Sequence, residues 1–314
     1  MNKIKNIIKN QYGINCISII EQIGGWSALA YKVTDGVNNY FLKVYEKSRA
    51  STPKLTALIE KYIPITIWLN DNTDLSEKIS VPLLTKEGKF KFEDCEGIYL
   101  LYEYIDGETI GNKELSKKQI YEFSKIVSVL HCYNDEIPFN TEGIKENFDI
   151  PFLSNLREEL KRENSTLPKE VKELINIHIK FINYLMDTLE NLSVYLKRES
   201  MKMVLCHTDL HYWNLMQSNE ELVLIDWEGL KIAPPEADLM FLIDKPYYNL
   251  FIDIYCKYHK NFEINEKALE FYKIKRKLED IWEFIEQFLF DNQNEHSMME
   301  NFSYLKRELE DIKF

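Results

Sequence analysis

The segment 204–216, VLCHTDLHYWNLM, places several polar side chains directly after a short apolar run. His207, Asp209 and Asn214 lie close together in it, and a second apolar run, LVLI, ends at Asp226. Phosphoryl transfer requires a carboxylate that receives or orients the acceptor hydroxyl, together with oxygen ligands for Mg²⁺. We therefore interpret Asp209 as that carboxylate, and Asn214 and Asp226 as the metal ligands.

The segment between the two metal-ligand candidates, LMQSNEELVLI, reads as two short apolar strands around a Ser-Asn-Glu turn. A β-hairpin at this point would return Asp226 to the neighbourhood of Asn214. The spacing is therefore compatible with one site rather than two.

Two other interpretations of the same residues remain open from the pattern alone. His207, Asp209 and His211 alternate and could ligate a metal such as zinc, although no second cluster of histidines or cysteines follows. An aspartate after a buried strand also commonly makes local hydrogen bonds in a turn. Phosphoryl transfer accounts for more of these residues at once.

The elements that must position these residues change in type along the chain. Residues 14–45 and 78–107 show strand patterns broken by turn residues such as Asp35-Gly36. Between them, residues 53–70 read as a helix that Pro64 breaks or kinks. After Gly107 the apolar residues follow a helical period, as in the long helix predicted over residues 168–198.

This division predicts an α+β, bilobal fold. Residues 1–102 form the β-rich N-terminal lobe, which binds nucleotide, and residues 103–314 form a mainly helical C-terminal lobe. The C-terminal lobe carries the catalytic segment, the metal site and the acceptor pocket. Ligands commonly bind in the cleft of such proteins.

Composition limits the possible partners. The 314 residues carry a formal net charge of -12, which argues against a nucleic-acid partner and suits cationic small molecules. The five scattered cysteines predict free thiols rather than a disulfide framework. The N-terminus shows no signal-peptide pattern, and no apolar run is long enough to span a bilayer. We expect a cytoplasmic protein without a membrane partner, as a monomer or dimer.

The motif His207-x-Asp209-x4-Asn214, followed by Ile225-Asp226, resembles the catalytic and metal loops of the aminoglycoside phosphotransferase (antibiotic kinase) family. The segments SVPLLTKEGKF and IDWEGLKIAPPEADLMFLI particularly resemble its spectinomycin phosphotransferase branch. The resemblance covers most of the chain and implies a protein-kinase-like fold. It also implies Mg²⁺ as cofactor and ATP or GTP as phosphoryl donor. In such a site His207 braces the catalytic loop, and Asp238 supports it from below.

The resemblance also assigns residues that bind the nucleotide. Lys43, in NYFLKVYE, matches the strand lysine that neutralises the α- and β-phosphates, and Glu60 is the candidate helical acid that pairs with it. In EQIGGWSALAYKV, Gly24, Gly25 and Ser27 match the loop over the phosphates, reduced here to two glycines. The backbone of Glu103, Tyr104 and Ile105 matches the hinge that meets the nucleobase.

The acceptor is less clearly indicated than the catalytic residues. In KLEDIWEFIEQFLF, the acids Glu279, Glu283 and Glu286 share one helical stripe, which is either a solvated face or a wall for the ammonium groups of an aminocyclitol. Trp282 would stack on a sugar ring or a cation. We expect a small cationic or hydroxylated acceptor.

Three functions follow from these residues. The first is phosphorylation of a hydroxyl group on an aminoglycoside or aminocyclitol antibiotic, which gives resistance. The second is a metabolic kinase for choline, ethanolamine, a sugar or an amino alcohol. The third is a non-catalytic relative, such as a spore-coat-type or regulatory protein. The presence of Lys43, Asp209, Asn214 and Asp226 together disfavours the third.

Overall fold

The computed structural model describes residues 2–22, 28–134, 136–162, 164–219 and 221–311. Sheets occupy its N-terminal part and helices its C-terminal part, as the predicted fold class requires. Within the described residues, no helix is long and apolar enough to cross a membrane.

The strands and helices are numbered along the chain. The strands are β1 Ser18–Gln22, β2 Leu29–Thr34, β3 Asn39–Glu46, β4 Phe92–Glu93, β5 Gly97–Glu103, β6 Gly107–Thr109, β7 Val204–Cys206, β8 Leu215–Ser218, β9 Glu221–Leu224 and β10 Lys231–Ala233. The α-helices are α1 Asn2–Ile7, α2 Thr52–Thr56, α3 Ile59–Asn72, α4 Lys117–Leu130, α5 Phe152–Lys161, α6 Lys169–Leu196, α7 Glu236–Leu239, α8 Tyr248–Tyr258, α9 Glu266–Phe290 and α10 Glu295–Glu310. Short 3-10 helices cover Glu142–Ile144, Tyr212–Asn214 and Trp227–Gly229, and a π-helical turn covers Ile8–Tyr12.

The chain forms two compact units. Unit 1 comprises Met1–Lys47, Thr52–Lys145 and Met203–Phe262, and unit 2 comprises Ser48–Ser51, Glu146–Lys202 and Glu263–Phe314. The five-stranded sheet and the catalytic segment both belong to unit 1. The two-lobe boundary after residue 102 stays a prediction.

The large sheet of unit 1 is antiparallel, with the strand order β1-β2-β3-β5-β4. One of its faces packs into a core that includes Leu42 and Val44 of β3. Because side chains alternate along a strand, Lys43 and Tyr45 lie on the opposite face. Both are nevertheless buried, Lys43 at 6% and Tyr45 at 0% exposure. The central strand thus carries a lysine into a covered position.

The predicted helix over residues 53–70 is two helices, and the break lies elsewhere than expected. α2 ends at Thr56, and α3 runs from Ile59 to Asn72 with Pro64 inside it. Pro64 has no N–H to donate to the carbonyl of Glu60, four residues earlier. Since Glu60 is exposed, water can replace that donor, and the helix continues.

Unit 2 is built from helices. The long helix predicted over residues 168–198 is confirmed as α6, which contacts α9. α9 begins after Asn265, whose side chain accepts a hydrogen bond from the Ala268 amide at 3.1 Å. Its buried residues include Ile281 and Ile285.

Candidate active site

The catalytic segment follows β7, a strand that is buried over its whole length and pairs with β10. Asn214 ends the short helix after it, and its Nδ2 donates to both the backbone oxygen and Oδ2 of Asp209, each at 2.9 Å. Nε2 of His211 lies 3.3 Å from the same Oδ2. Two side chains of the segment therefore orient the Asp209 carboxylate.

Asp238 holds the start of this segment from α7. It is fully buried, and its carboxylate accepts hydrogen bonds from the amides of His207 and Thr208 at 2.9 and 2.5 Å. Its Oδ2 also lies 3.0 Å from Nε2 of His131, which follows α4. Thr208 has a φ of 67°, an uncommon backbone conformation for a β-branched residue. The buried carboxylate compensates for that strain by accepting hydrogen bonds from the Thr208 amide and from the amide of the residue before it.

We expect the substitution Asp238→Asn to lower the free energy of unfolding by about 3 kcal/mol, because an amide group leaves buried donors without an acceptor. Turnover should fall with it, since the Asp209 segment loses its support. Urea unfolding of the two proteins measures the stability change. Asp253→Asn, the same substitution at an exposed position of α8, should stay within about 0.5 kcal/mol of wild type. Equal stabilities for Asp238→Asn and wild type would contradict the assigned support.

His207 connects the catalytic segment to the candidate metal residue. Its Nε2 lies 2.9 Å from the backbone oxygen of Ile225, and its Nδ1 accepts from the Asp209 amide at 3.2 Å. Because the Ile225 oxygen can only accept, Nε2 carries the proton and the ring is neutral. Its edge-to-face contact with Trp227 closes the remaining side. Since both nitrogens are engaged, His207 is poorly placed to ligate zinc, and the metal-hydrolase interpretation loses one of its three ligands.

The predicted hairpin is confirmed as β8 and β9, which pair from Leu215 with Leu224 to Ser218 with Glu221. Beyond the paired strands, the Ile225 amide donates to the Asn214 backbone oxygen at 3.0 Å. Asp226 follows immediately, so the hairpin brings the two candidate metal residues to the same end. Asp226 has a φ of 65°, which aspartate tolerates better than most residues.

Lys43 reaches Asp226 from the central strand of the sheet. Its Nζ lies 3.0 Å from Oδ1 of Asp226 and 2.5 Å from Oε1 of Glu228. The hydroxyl of Tyr45 donates to the same Glu228 oxygen. Lys43, Tyr45, Asp226 and Glu228 form one hydrogen-bonded group, which we call the lysine cluster.

Burial and charge act in opposite directions on the acids and the base of the lysine cluster. Burial favours neutral Lys43, but the charges of Asp226 and Glu228 outweigh it and hold the lysine pKa well above its ordinary value. Partial removal from water and the nearby Glu228 charge raise the pKa of Asp226, although Lys43 opposes the shift. Burial acts to raise the pKa of Glu228 as well, yet Lys43 and Tyr45 hold that pKa below its ordinary value. Glu228 is therefore the more firmly ionised partner of the lysine.

Glu60 does not occupy the position predicted for it. Within the described part of the chain, the carboxylates paired with Lys43 are Asp226 and Glu228, whereas Glu60 is exposed on α3. The helix instead turns Tyr62 inward, at 2% exposure. Glu60 was the candidate because it lies on the helix that follows the lysine strand, but the buried face of that helix begins one position away, at Ile59.

Other predicted nucleotide contacts are only partly visible. Gly24, Gly25 and Ser27 lie outside the described residues. The Tyr104 amide donates to the Asn39 oxygen at 3.1 Å, which makes this amide unavailable to a nucleobase. The hinge stays a prediction that depends on the Tyr104 carbonyl and on the backbone groups of Glu103 and Ile105, at and beyond the end of β5.

The predicted acceptor residues all lie on α9 of unit 2. Trp282 is 8% exposed, so its ring packs inside the unit rather than lying open for stacking. Glu279, Glu283 and Glu286 are half-buried, and the acidic stripe stays a prediction.

Sequence reasoning missed Tyr45 as part of this site. The signal was present, because strand alternation places Tyr45 on the face of Lys43, two residues away. A buried tyrosine usually gives its hydroxyl a hydrogen-bond partner, and here that partner is Glu228.

The chain belongs to the APH phosphotransferase enzyme family, whose model matches residues 19–289. It is a phosphotransferase that acts on hydroxyl groups. No curated protein matches the sequence.

Several solved structures resemble the chain over nearly its whole length. Spectinomycin phosphotransferase APH(9)-Ia, in complex with ADP and spectinomycin, matches with 25% identity and a TM-score of 0.76, covering 98% of this chain and 93% of that one. Choline kinase LicA from Streptococcus pneumoniae matches with 16% identity and a TM-score of 0.64, covering 98% of each chain. Amicoumacin kinase hAmiN, in complex with AMP-PNP, Ca²⁺ and Ami, matches with 13% identity and a TM-score of 0.61, covering 99% of this chain and 93% of that one. The last two matches show a shared fold.

Proposed function

We propose that this protein transfers the γ-phosphoryl group of ATP or GTP to a hydroxyl of an aminoglycoside or aminocyclitol antibiotic and so gives resistance. The observation that carries the proposal is the convergence of Lys43, Asp209, Asn214 and Asp226 within unit 1. The similarity to a spectinomycin kinase that binds ADP supports both the donor class and the acceptor class.

Asp209 is the group that receives the acceptor proton in this proposal. The Asn214 amide and His211 fix one carboxylate oxygen, so the carboxylate is oriented before an acceptor arrives. Lys43 offsets the negative charge of the donor phosphates. Orientation and charge stabilisation of this kind supply most of the catalysis in phosphoryl transfer.

The free oxygens of the site suit a magnesium ion. Within the described residues, Oδ1 of Asn214 and Oδ2 of Asp226 accept no hydrogen bond, and both are hard oxygen donors. Asn214 and Asp226 would hold the ion, which supplies charge neutralisation at the phosphate oxygens.

Choline, ethanolamine or another amino alcohol is the second acceptor class. The full-length fold match to a choline kinase favours it, and the acidic composition suits a cation of either kind.

The test is acceptor-dependent release of nucleoside diphosphate, with Mg²⁺ and with ATP and GTP in parallel. The acceptors are spectinomycin, a kanamycin-type aminoglycoside, choline, ethanolamine and a simple sugar, and mass spectrometry identifies the phosphorylated product. We expect turnover with an antibiotic, and a rise in the concentration of that antibiotic needed to inhibit bacteria producing the protein. Turnover with choline, ethanolamine or sugar alone would overturn the antibiotic assignment. Absence of turnover with every acceptor would overturn the catalytic proposal for these classes.

A further inference from the structure

The two acids that contact Lys43 are unequally accessible. The side chain of Glu228 is 12% exposed and that of Asp226 is 41% exposed, while that of Lys43 is 8% exposed. A buried ammonium group requires a permanent partner, because leaving it unpaired is costly. Glu228 is placed to be that partner from the covered side, and Asp226 contacts the lysine from the open side.

Tyr45 fixes the Glu228 carboxylate. Its hydroxyl donates to Oε1, the same oxygen that Lys43 contacts at 2.5 Å. Tyr45 is fully buried and lies two residues after Lys43 on the same face of β3. One strand therefore supplies both the lysine and the donor that orients its partner.

The backbone around Glu228 is also held. Glu228 lies in the short helix Trp227–Gly229, which contacts α2 and α3. Gly229 lies so close to the catalytic segment that a Cβ there would meet Oγ1 of Thr208 and lie 3.0 Å from the backbone oxygen of His207. The segment that presents Glu228 is packed against residues next to Asp209, which restricts its position.

Helix α3 contributes an aromatic residue to this region instead of an acid. Tyr62 is 2% exposed, and within the described residues its hydroxyl has no hydrogen-bond partner. Its helix, α3, contacts the short helix Trp227–Gly229 that carries Glu228. Because Tyr62 is neutral, it does not balance the charge of Lys43. Asp226 and Glu228, in the segment after β9, balance that charge.

The geometry points to Glu228, oriented by Tyr45, as the positioning residue of Lys43. It holds the ammonium group in place for the donor phosphates from the covered side, with or without a cation at Asp226. This inference rests on the proposed function in one respect, the contact of Lys43 with nucleotide phosphates. It adds that the lysine is anchored by the segment that carries the metal residue, and that the acid predicted on α3 has no part in it.

The test is a double-mutant cycle on ADP binding without divalent cations, measured by calorimetry in EDTA. Lys43→Met removes the phosphate contact, Glu228→Gln removes the anchor charge, and the double variant removes both. A residue that acts only through Lys43 loses its effect when the lysine is absent. We expect Glu228→Gln to weaken ADP binding about tenfold with Lys43 present and by less than about twofold in the Lys43→Met protein.

Two further variants separate this role from a general effect on folding. Tyr45→Phe removes only the hydroxyl that orients Glu228, and we expect it to weaken ADP binding by about threefold while the protein stays folded. If Glu228→Gln does not fold, the cycle is measured with Tyr45→Phe instead. Its effect on ADP binding is then compared between the wild-type and the Lys43→Met proteins. Glu60→Gln tests the competing partner on α3 and should leave ADP binding unchanged.

The outcomes distinguish the inference from the proposed function. If Lys43→Met binds ADP as wild type does, the proposed phosphate contact is wrong. If Lys43→Met weakens ADP binding while Glu228→Gln and Tyr45→Phe do not, Lys43 keeps its proposed phosphate contact. The assignment of Glu228 as its positioning residue is then wrong. The same assignment fails if Glu228→Gln weakens ADP binding equally with and without Lys43. It also fails if Glu60→Gln weakens ADP binding and Glu228→Gln does not.

Discussion

Replacing Asp209 by asparagine is expected to reduce phosphoryl transfer by roughly 10²–10⁴-fold while ADP binding changes by less than about twofold. The amide group cannot receive the acceptor proton at neutral pH. Its carbonyl oxygen can still accept from Nδ2 of Asn214, which donates to Asp209 at 2.9 Å. The substitution therefore removes the charge and the proton acceptor with little change of shape. Steady-state turnover gives the first quantity, and calorimetric titration with ADP gives the second.

Asp71→Asn is the matched control, because Asp71 is exposed at the C-terminal end of α3. Both quantities should stay at their wild-type values in that variant. Wild-type turnover in Asp209→Asn would show that another group receives the proton. A parallel loss of ADP binding would instead show that Asp209 supports the nucleotide site, and the split between chemistry and binding would be wrong.

Local sequence signals were sufficient to predict the hairpin that follows the catalytic segment. A short polar turn between two apolar runs predicted the β8–β9 hairpin, and the hairpin alone fixes the relation between Asn214 and Asp226. Strand alternation likewise places Lys43 and Tyr45 on one face of β3, and both are buried there. These inferences depend on residues near one another in the sequence, where pattern rules are strongest.

The partner of Lys43 could not be read from such signals. The lysine and Glu228 are 185 residues apart, and their contact depends on how β3 and the segment after β9 pack together. Glu60 was favoured because it is an acid on the helix after the strand, but the helical pattern does not say which polar residue faces the strand. The left-handed backbone at Thr208 was equally hidden, since a threonine gives no local signal for it and buried Asp238 sustains it from a distant helix.

The stripe on α9 shows a related limit. Helical periodicity correctly grouped Ile281 and Ile285, which are buried. It did not show that Trp282 is also covered, because neighbouring helices determine how wide the buried face is. An aromatic residue beside an acidic stripe therefore indicates a binding surface only after its exposure is known.

The second large effect is expected for Asp226→Asn, which should abolish the strengthening of ADP binding by Mg²⁺ and reduce turnover at least about 100-fold. Asn is the informative replacement because Asp226 has a φ of 65°, a conformation that asparagine also adopts at low cost, whereas alanine would add backbone strain. The variant thus loses the carboxylate charge while keeping the turn. ADP titrations with Mg²⁺ and with EDTA measure the effect.

The EDTA arm separates the roles of the two acids that share Lys43. In Asp226→Asn, Glu228 still holds the lysine at its covered side, so cation-independent ADP binding should remain within about threefold of wild type. Glu228→Gln, in contrast, is expected to weaken ADP binding in EDTA. An undiminished Mg²⁺ effect in Asp226→Asn would remove Asp226 from the metal site. If both variants weaken ADP binding equally in EDTA, the two carboxylates act as one group. The assignment of separate roles to Asp226 on the open side of Lys43 and Glu228 on its covered side would then be wrong.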